Sequence, residues 1–261
     1  MIIYFSGTGN SRAVATALAA LTSDRVFPLT ELPPADASWH GERLILVCPV
    51  YSWGIPPLVL DYVGRLSAPF IGEARRHRVW VVLTCGDETG RAPEMMEKAL
   101  AGRGVTLSGI WDVQMPNNYV LLPGFDVDPL DVERKKLSRY PSRVEEIARC
   151  ILEGRECRDY TAGSWPGVKT RMVYPLFRRM GIVPSRWKAS EACVGCGRCR
   201  DVCPMGNVTL DAGRMPVWGG RCVSCLACYH VCPRNAVAYG KATRGKGQYF
   251  YPQPHGAEKR R

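Results

Sequence analysis

Cys193-x-x-Cys196-x-x-Cys199-x-x-x-Cys203-Pro204 and Cys222-x-x-Cys225-x-x-Cys228-x-x-x-Cys232-Pro233 are one pattern written twice. A shift of 29 residues superposes the two runs and also aligns Val194 with Val223, Val202 with Val231 and Val208 with Val237. Self-similarity of this kind marks duplicated supersecondary structure. Three thiolates spaced in this way on a curled loop can meet three corners of a small cubane, and the fourth corner must come from elsewhere. The prolines after Cys203 and Cys232 turn the chain and remove a backbone donor.

The spacing is that of bacterial ferredoxins with two [4Fe–4S] clusters, in which the fourth cysteine of each run ligates the other cluster. That crossing assigns Cys193, Cys196, Cys199 and Cys232 to one cluster and Cys203, Cys222, Cys225 and Cys228 to the other. Zinc and disulfides are the rival readings. Structural zinc uses two separated Cys-x-x-Cys pairs, which a third cysteine followed by Cys-Pro fits badly. Disulfides do not suit a chain without a signal peptide. Met1–Phe5 lacks the basic region and long apolar core of such a peptide, and no apolar run approaches a membrane span. The expectation is a soluble, cytoplasmic protein.

Charge is unevenly spread. Residues 1–150 carry 16 Lys/Arg and 17 Asp/Glu, whereas residues 151–261 carry 19 and 7. Two oxidised clusters with four thiolates each would offset about −2 apiece. The remaining basic excess suits solubility, an acidic docking surface on a redox partner protein, or peripheral contact with an anionic membrane. No nucleic-acid-binding motif accompanies it.

Upstream of the cysteines the pattern alternates. Ile2–Phe5, Arg25–Leu29, Leu44–Val50, Arg78–Thr84 and Val105–Met115 read as strands, separated by helical stretches at 12–21, 55–66, 94–103 and 130–153. Continuous apolar runs such as Leu44–Val50 suit parallel strands buried on both faces. Five strands alternating with helices give an α/β, doubly wound, five-stranded parallel sheet. A small α+β two-cluster domain follows. The expected boundaries are a first domain at 1–153, a linker at 154–188, the cluster domain at 189–240 and a basic, flexible tail at 241–261. Trp165–Met180, in the linker, mixes aromatic and basic residues; it is expected to pack between the domains or to lie on a membrane surface.

Doubly wound sheets bind ligands beyond the carboxyl ends of their strands. Ser6-Gly7-Thr8-Gly9-Asn10-Ser11 follows the first strand and opens a helix, so hydroxyls and backbone N–H groups can surround a phosphate there. It is not a P-loop, and the dinucleotide fingerprint is missing. Pro49-Val50-Tyr51-Ser52-Trp53-Gly54 supplies two aromatics against which a flat ring could stack. Thr84-Cys85-Gly86-Asp87 supplies a turn that could bond a ring edge.

These three loops resemble those of flavodoxins, where they hold the phosphate, one face and the other side of FMN. The chain from Met1 to about Tyr239 resembles the flavodoxin–ferredoxin fusion proteins described as EFR-type ferredoxins. The resemblance rests on Tyr4–Ser11, Pro49–Gly54, Thr84–Gly86, Met115–Tyr119 and both cysteine runs. It implies electron transfer between FMN and two [4Fe–4S] clusters. An FMN-dependent reductase of a quinone or nitro compound and a structural metal-binding module stand as alternatives. Asn117, Asn118 and Tyr119 either border the flavin or cap a turn. Cys48 reads as a buried small hydrophobe, Cys85 as a loop residue near the flavin, and His230 as spare, its quartet being complete without it.

Overall fold

The computed structural model describes residues 1–31, 43–66, 78–180 and 183–252. They form two compact units, each built from separate stretches of chain. The first holds Met1–Ser6, Ser11–Met115 and Arg134–Met180. The second holds Gly7–Asn10, Pro116–Glu133 and the described residues of 181–261.

The first unit is built on a parallel sheet: β1 (Ile2–Tyr4), β2 (Val26–Pro28), β3 (Arg43–Pro49), β4 (Arg78–Cys85), β5 (Leu107–Gln114) and β6 (Cys157–Asp159), ordered β2-β1-β3-β4-β5-β6. The first five strands have the 2-1-3-4-5 order of flavodoxin-like sheets, which defines the fold class. Register pairs Ile3 with Leu46, Leu46 with Val81 and Val81 with Ile110, so buried aliphatics line up across the sheet. Gly109 has no side chain because Trp80 and Trp111 fill its place; a Cβ there would come 2.6 Å from the Trp111 ring. The crossover helices are α1 (Asn10–Thr22), α2 (Pro57–Gly64), α3 (Ala92–Ala101) and α4 (Leu130–Leu152).

Two expectations are corrected. The sheet has six strands rather than five, because Cys157–Asp159, assigned to the linker, pairs with Gly109–Trp111. Further along that linker, Pro166–Val168 (α5), a π-turn at Lys169–Val173 and Tyr174–Met180 (α6) form a helical run that buries Thr170 and Tyr174 in the first unit. Residues 241–252 of the tail are not loosely attached, since Thr243, Tyr249 and Phe250 are buried. Residues 253–261 lie outside the described residues.

The second unit contains two antiparallel pairs, β7 (Trp187–Ala189) with β10 (Val237–Tyr239) and β8 (Val208–Leu210) with β9 (Pro216–Trp218). Two four-residue helices, α7 (Arg198–Asp201) and α8 (Ala227–His230), carry the third cysteine of each run. The core includes Val120, Trp187, Val208, Leu226, Tyr229 and Val237. Domains this small usually need staples or metal to supplement such a core.

Candidate functional site

The repeat folds around two small cavities. Cys193, Cys196, Cys199 and Cys232 line the first; Cys203, Cys222, Cys225 and Cys228 line the second. The Cys-Pro cysteine of each run thus stands with the other run's triplet. Left-handed residues make the curl: Gly195 and Gly197 in the first run (φ 62° and 79°), and Ser224 and Leu226 at the equivalent positions of the second (both 60°). A side chain in that region is strained unless its surroundings hold it. After each Cys-Pro the chain turns back, and a backbone amide donates to the thiol: Asn207 N–H to Cys203 Sγ at 3.3 Å and Ala236 N–H to Cys232 Sγ at 3.2 Å.

Buried donors test whether iron–sulfur clusters fit these cavities. Trp187 and Trp218 line the second cavity and Arg198 the first. Arg198 Nη1 is buried without a hydrogen-bond partner, and Trp187 Nε1 and Trp218 Nε1 have none beyond the neighbouring Cys222 and Cys228 thiols. An orphaned buried donor costs about 1–3 kcal/mol, and cluster sulfur would satisfy all three. Burial pushes the Cys199 thiol up to about 11 and the Cys225 thiol up to about 12. Burial also raises the Cys222 and Cys228 thiols, but the Trp187 and Trp218 indoles oppose the rise, as donors near a thiolate would. Among the described residues, no three His, Cys, Asp or Glu side chains converge as a single ion requires. Thiols set around a cavity suit a polynuclear cluster better than one zinc ion.

The phosphate loop divides between the units. Ser11, on α1, shares a 2.8 Å hydrogen bond with Thr84 at the end of β4. Val50 N–H donates to Thr84 C=O at 2.8 Å, so the β3 and β4 loops are also joined there. Gly7–Asn10 belongs with the second unit. Thr8 is buried, its hydroxyl accepting from Asn118 Nδ2 and its carbonyl from Tyr251 N–H at 2.8 Å. Asn10 Nδ2 donates to Pro116 C=O at 3.0 Å, and Asn10 Oδ1 accepts from Tyr249 O–H at 2.6 Å. Gly9 has φ 99°, and a Cβ there would come 1.5 Å from Tyr251 C=O, so both torsion and space require glycine. The loop opens a 13-residue helix with no acidic residue in its first turn, an end that favours an anion. Ser6, Gly7, Thr8, Gly9, Asn10 and Ser11 are the residues that would hold the FMN phosphate.

Beyond Pro49, which ends β3, Tyr51 and Gly54 pair across a two-residue turn, with Ser52 at φ 46° and Trp53 at φ 61°. Two successive positive φ values are the signature of a type I′ turn, which favours Asn-Gly. Here the surroundings supply what the residues lack. Thr170 Oγ1 donates to Trp53 C=O at 2.7 Å, and Trp53 Nε1 donates to Glu88 Oε1 at 2.6 Å. Lys169 Nζ pairs with that carboxylate and lies 5.4 Å from the centre of the indole ring. Tyr51 meets Phe5 and Phe177 edge-on at 6.4 and 6.3 Å. Of the residues expected to border a flavin ring, Tyr51, Ser52, Trp53 and Gly86 are half-buried, Asp87 is exposed and Gly54 is buried. Asp87 is paired with Lys136 at 2.9 Å. Cys85 differs from the expectation. Its thiol points to buried Asp112 at 3.9 Å, and burial together with the Asp112 charge raises it well above the ordinary range.

Tyr249 N–H donates to His230 Nδ1 at 3.1 Å and His230 Nε2 donates to Asn118 C=O at 2.7 Å. Burial lowers its pKa to about 4, so it is neutral with the proton on Nε2. Asn118 thus bridges Thr8 and His230, whereas Asn117 caps its own loop through Asp128.

Residues 181–237 match the 4Fe-4S dicluster domain family. No curated protein matches the chain. Among solved structures, the Trp repressor binding protein of Bacillus subtilis is 16% identical, covering 55% of this chain and 97% of its own, with a TM-score of 0.40. A Fusobacterium nucleatum flavodoxin bound to flavin mononucleotide is 13% identical, with coverages of 58% and 95% and a TM-score of 0.40. An azoreductase from Bacillus anthracis is 9% identical, with coverages of 56% and 97% and a TM-score of 0.39. The strand order, rather than these likenesses, defines the fold. The chain joins a sheet of flavodoxin-like strand order to a stretch that matches the 4Fe-4S dicluster domain family.

Proposed function

We propose that this chain is an electron-transfer protein carrying FMN and two [4Fe–4S] clusters, and that electrons pass between an external protein partner, the clusters and the flavin. The observation that carries the reading is the crossed thiol set around each of two cavities. A [4Fe–4S] cluster moves one electron at a time, while a flavin accepts one or two, so the pair can join one-electron and two-electron chemistry. The first triplet with Cys232 holds one cluster and the second with Cys203 holds the other. Ser6–Ser11 holds the FMN phosphate, while Pro49–Gly54 and Thr84–Asp87 border the ring. The packing of Thr170, Tyr174 and Phe177 on the Tyr51–Ile55 turn supports a carrier, because it fixes the aromatics that would border the flavin.

Anaerobic reconstitution tests the reading. About eight iron and eight sulfide per chain are expected, with one FMN, two reducible cluster signals in EPR and flavin absorbance. Absence of flavin, or iron bound singly, would overturn it. Sustained reduction of a quinone by protein whose clusters are missing would favour the reductase instead.

A further inference from the structure

The helical run Pro166–Met180 has two unlike faces. Inward, Thr170 and Tyr174 are buried and Tyr174 O–H donates to Ile55 C=O. Outward, Trp165 is 76% exposed, Val168 47%, Met172 68% and Leu176 54%. Val168, Met172 and Leu176 recur at helical spacing of four residues, and Trp165, at φ 54°, precedes the first helical turn. Single exposed apolar residues are ordinary; four in a row form an apolar ridge, which marks an interaction site. Arg171, Arg178 and Arg179 are exposed beside it, and Arg178 lies over the Tyr174 ring at 6.0 Å. From Tyr160 to Ser190 there are six basic residues and no acidic one.

We propose that this ridge, formed by Trp165, Val168, Met172 and Leu176 and flanked by Arg171, Arg178 and Arg179, docks on an anionic lipid surface. Apolar side chains on one face with basic side chains beside them are what an interfacial helix presents to a bilayer. The arginines can reach lipid phosphates while their stems lie along the apolar boundary. The absence of acidic residues over this stretch leaves nothing in it to repel an anionic surface. Among the described residues no helix is long and apolar enough to cross a membrane, so the contact is peripheral. It does not depend on the cofactors.

Flotation of the purified full chain with vesicles tests this. Binding to phosphatidylcholine–phosphatidylserine vesicles is expected to exceed binding to phosphatidylcholine alone by about tenfold, and to weaken as salt is raised. Met172→Ser with Leu176→Ser, and Arg178→Gln with Arg179→Gln, are each expected to cut binding about tenfold. Far-UV circular dichroism should be unchanged, because all four side chains are exposed. In the unaltered protein, brominated lipid should quench a component of tryptophan emission that Trp165→Phe removes; that readout stands even if a double variant misfolds. No flotation with anionic vesicles, undiminished flotation of both variants, or a dimer in light scattering that the Met172/Leu176 variant abolishes would each overturn the proposal. Iron and flavin contents decide the redox reading separately, so either can fail without the other.

Discussion

Gly7 and Cys225, both in the second unit, meet backbone to backbone: a Cβ on Gly7 would stand 2.5 Å from the Cys225 carbonyl oxygen and 2.9 Å from its Cβ. The phosphate loop therefore touches a proposed ligand of the second cluster. Gly7→Val must push that backbone aside, and overpacking of this kind costs about 1–3 kcal/mol. Weaker FMN binding and a broadened or diminished signal from one cluster are expected together, by flavin titration and EPR. A change in FMN binding alone would mean that the contact is not shared.

The crossing of ligands has its own test. Cys203→Ser lies in the first run but lines the second cavity, so it should remove the same EPR signal as Cys222→Ser. Cys196→Ser and Cys232→Ser should remove the other. Each variant should fall from about eight iron per chain to about four, with FMN retained. Pairing of Cys203 with Cys196 in this assay would rule out the crossed assignment.

Trp187 and Trp218 stack with ring centres 6.2 Å apart and line the second cavity with their buried indole donors. Hydrogen bonds to cluster sulfur stabilise the more negative, reduced form. Trp218→Phe keeps an aromatic ring and removes the donor. The second cluster should become harder to reduce, by about tenfold in its reduced-to-oxidised ratio, which is about 59 mV for a one-electron couple. Redox titration followed by EPR should find the first cluster unmoved. Equal shifts in both clusters would point to general repacking.

Much of this was legible because the informative residues are close in sequence. The cysteine triplets, the Ser6–Ser11 loop and the buried strands each announce themselves within a dozen residues. What stayed hidden depends on distant contacts. Tyr249 meets Asn10 across 239 residues, and no local pattern marks a tail that packs on a loop. β6 was overlooked because three residues, Cys157–Asp159, are too few to show a strand period. Trp187 fell in the expected linker and Trp218 between the cysteine runs, and only the folded cavity brings them together. Ser52 and Trp53 occupy a turn whose sequence preference is Asn-Gly; Thr170 and Glu88 stabilise it from elsewhere in the chain.

The tail should matter for stability. Tyr249→Phe removes one buried hydrogen bond, worth about 0.5–1.5 kcal/mol. Removing residues 248–261 also exposes His230 Nδ1 and takes away buried Phe250. The truncation should lower the melting temperature by more than Tyr249→Phe and speed proteolysis of the second unit. Equal melting temperatures for truncated and full chains would show that these contacts contribute nothing.

Cys85 is the last case, because its position in sequence and its chemistry point in opposite directions. It ends β4 beside the proposed flavin loops, yet it is 6% exposed and its thiol is directed at Asp112. Asp112 in turn accepts from Thr161 N–H at 2.9 Å and stands 3.6 Å from Arg143 Nη2. Burial and the carboxylate both oppose formation of the Cys85 thiolate, and the thiolate is the reactive species. Iodoacetamide at neutral pH should therefore modify half-buried Cys150 and Cys157 while sparing Cys85 and Cys48 in the native protein. Asp112→Ala leaves the Thr161 amide without its acceptor, while Arg143 keeps Asp159 at 2.7 Å and Glu146 at 3.4 Å; one orphaned donor costs about 1–3 kcal/mol. The same variant should make Cys85 easier to alkylate. Rapid modification of Cys85 in the unaltered protein, found by mass spectrometry, would show that burial and Asp112 do not suppress its thiolate.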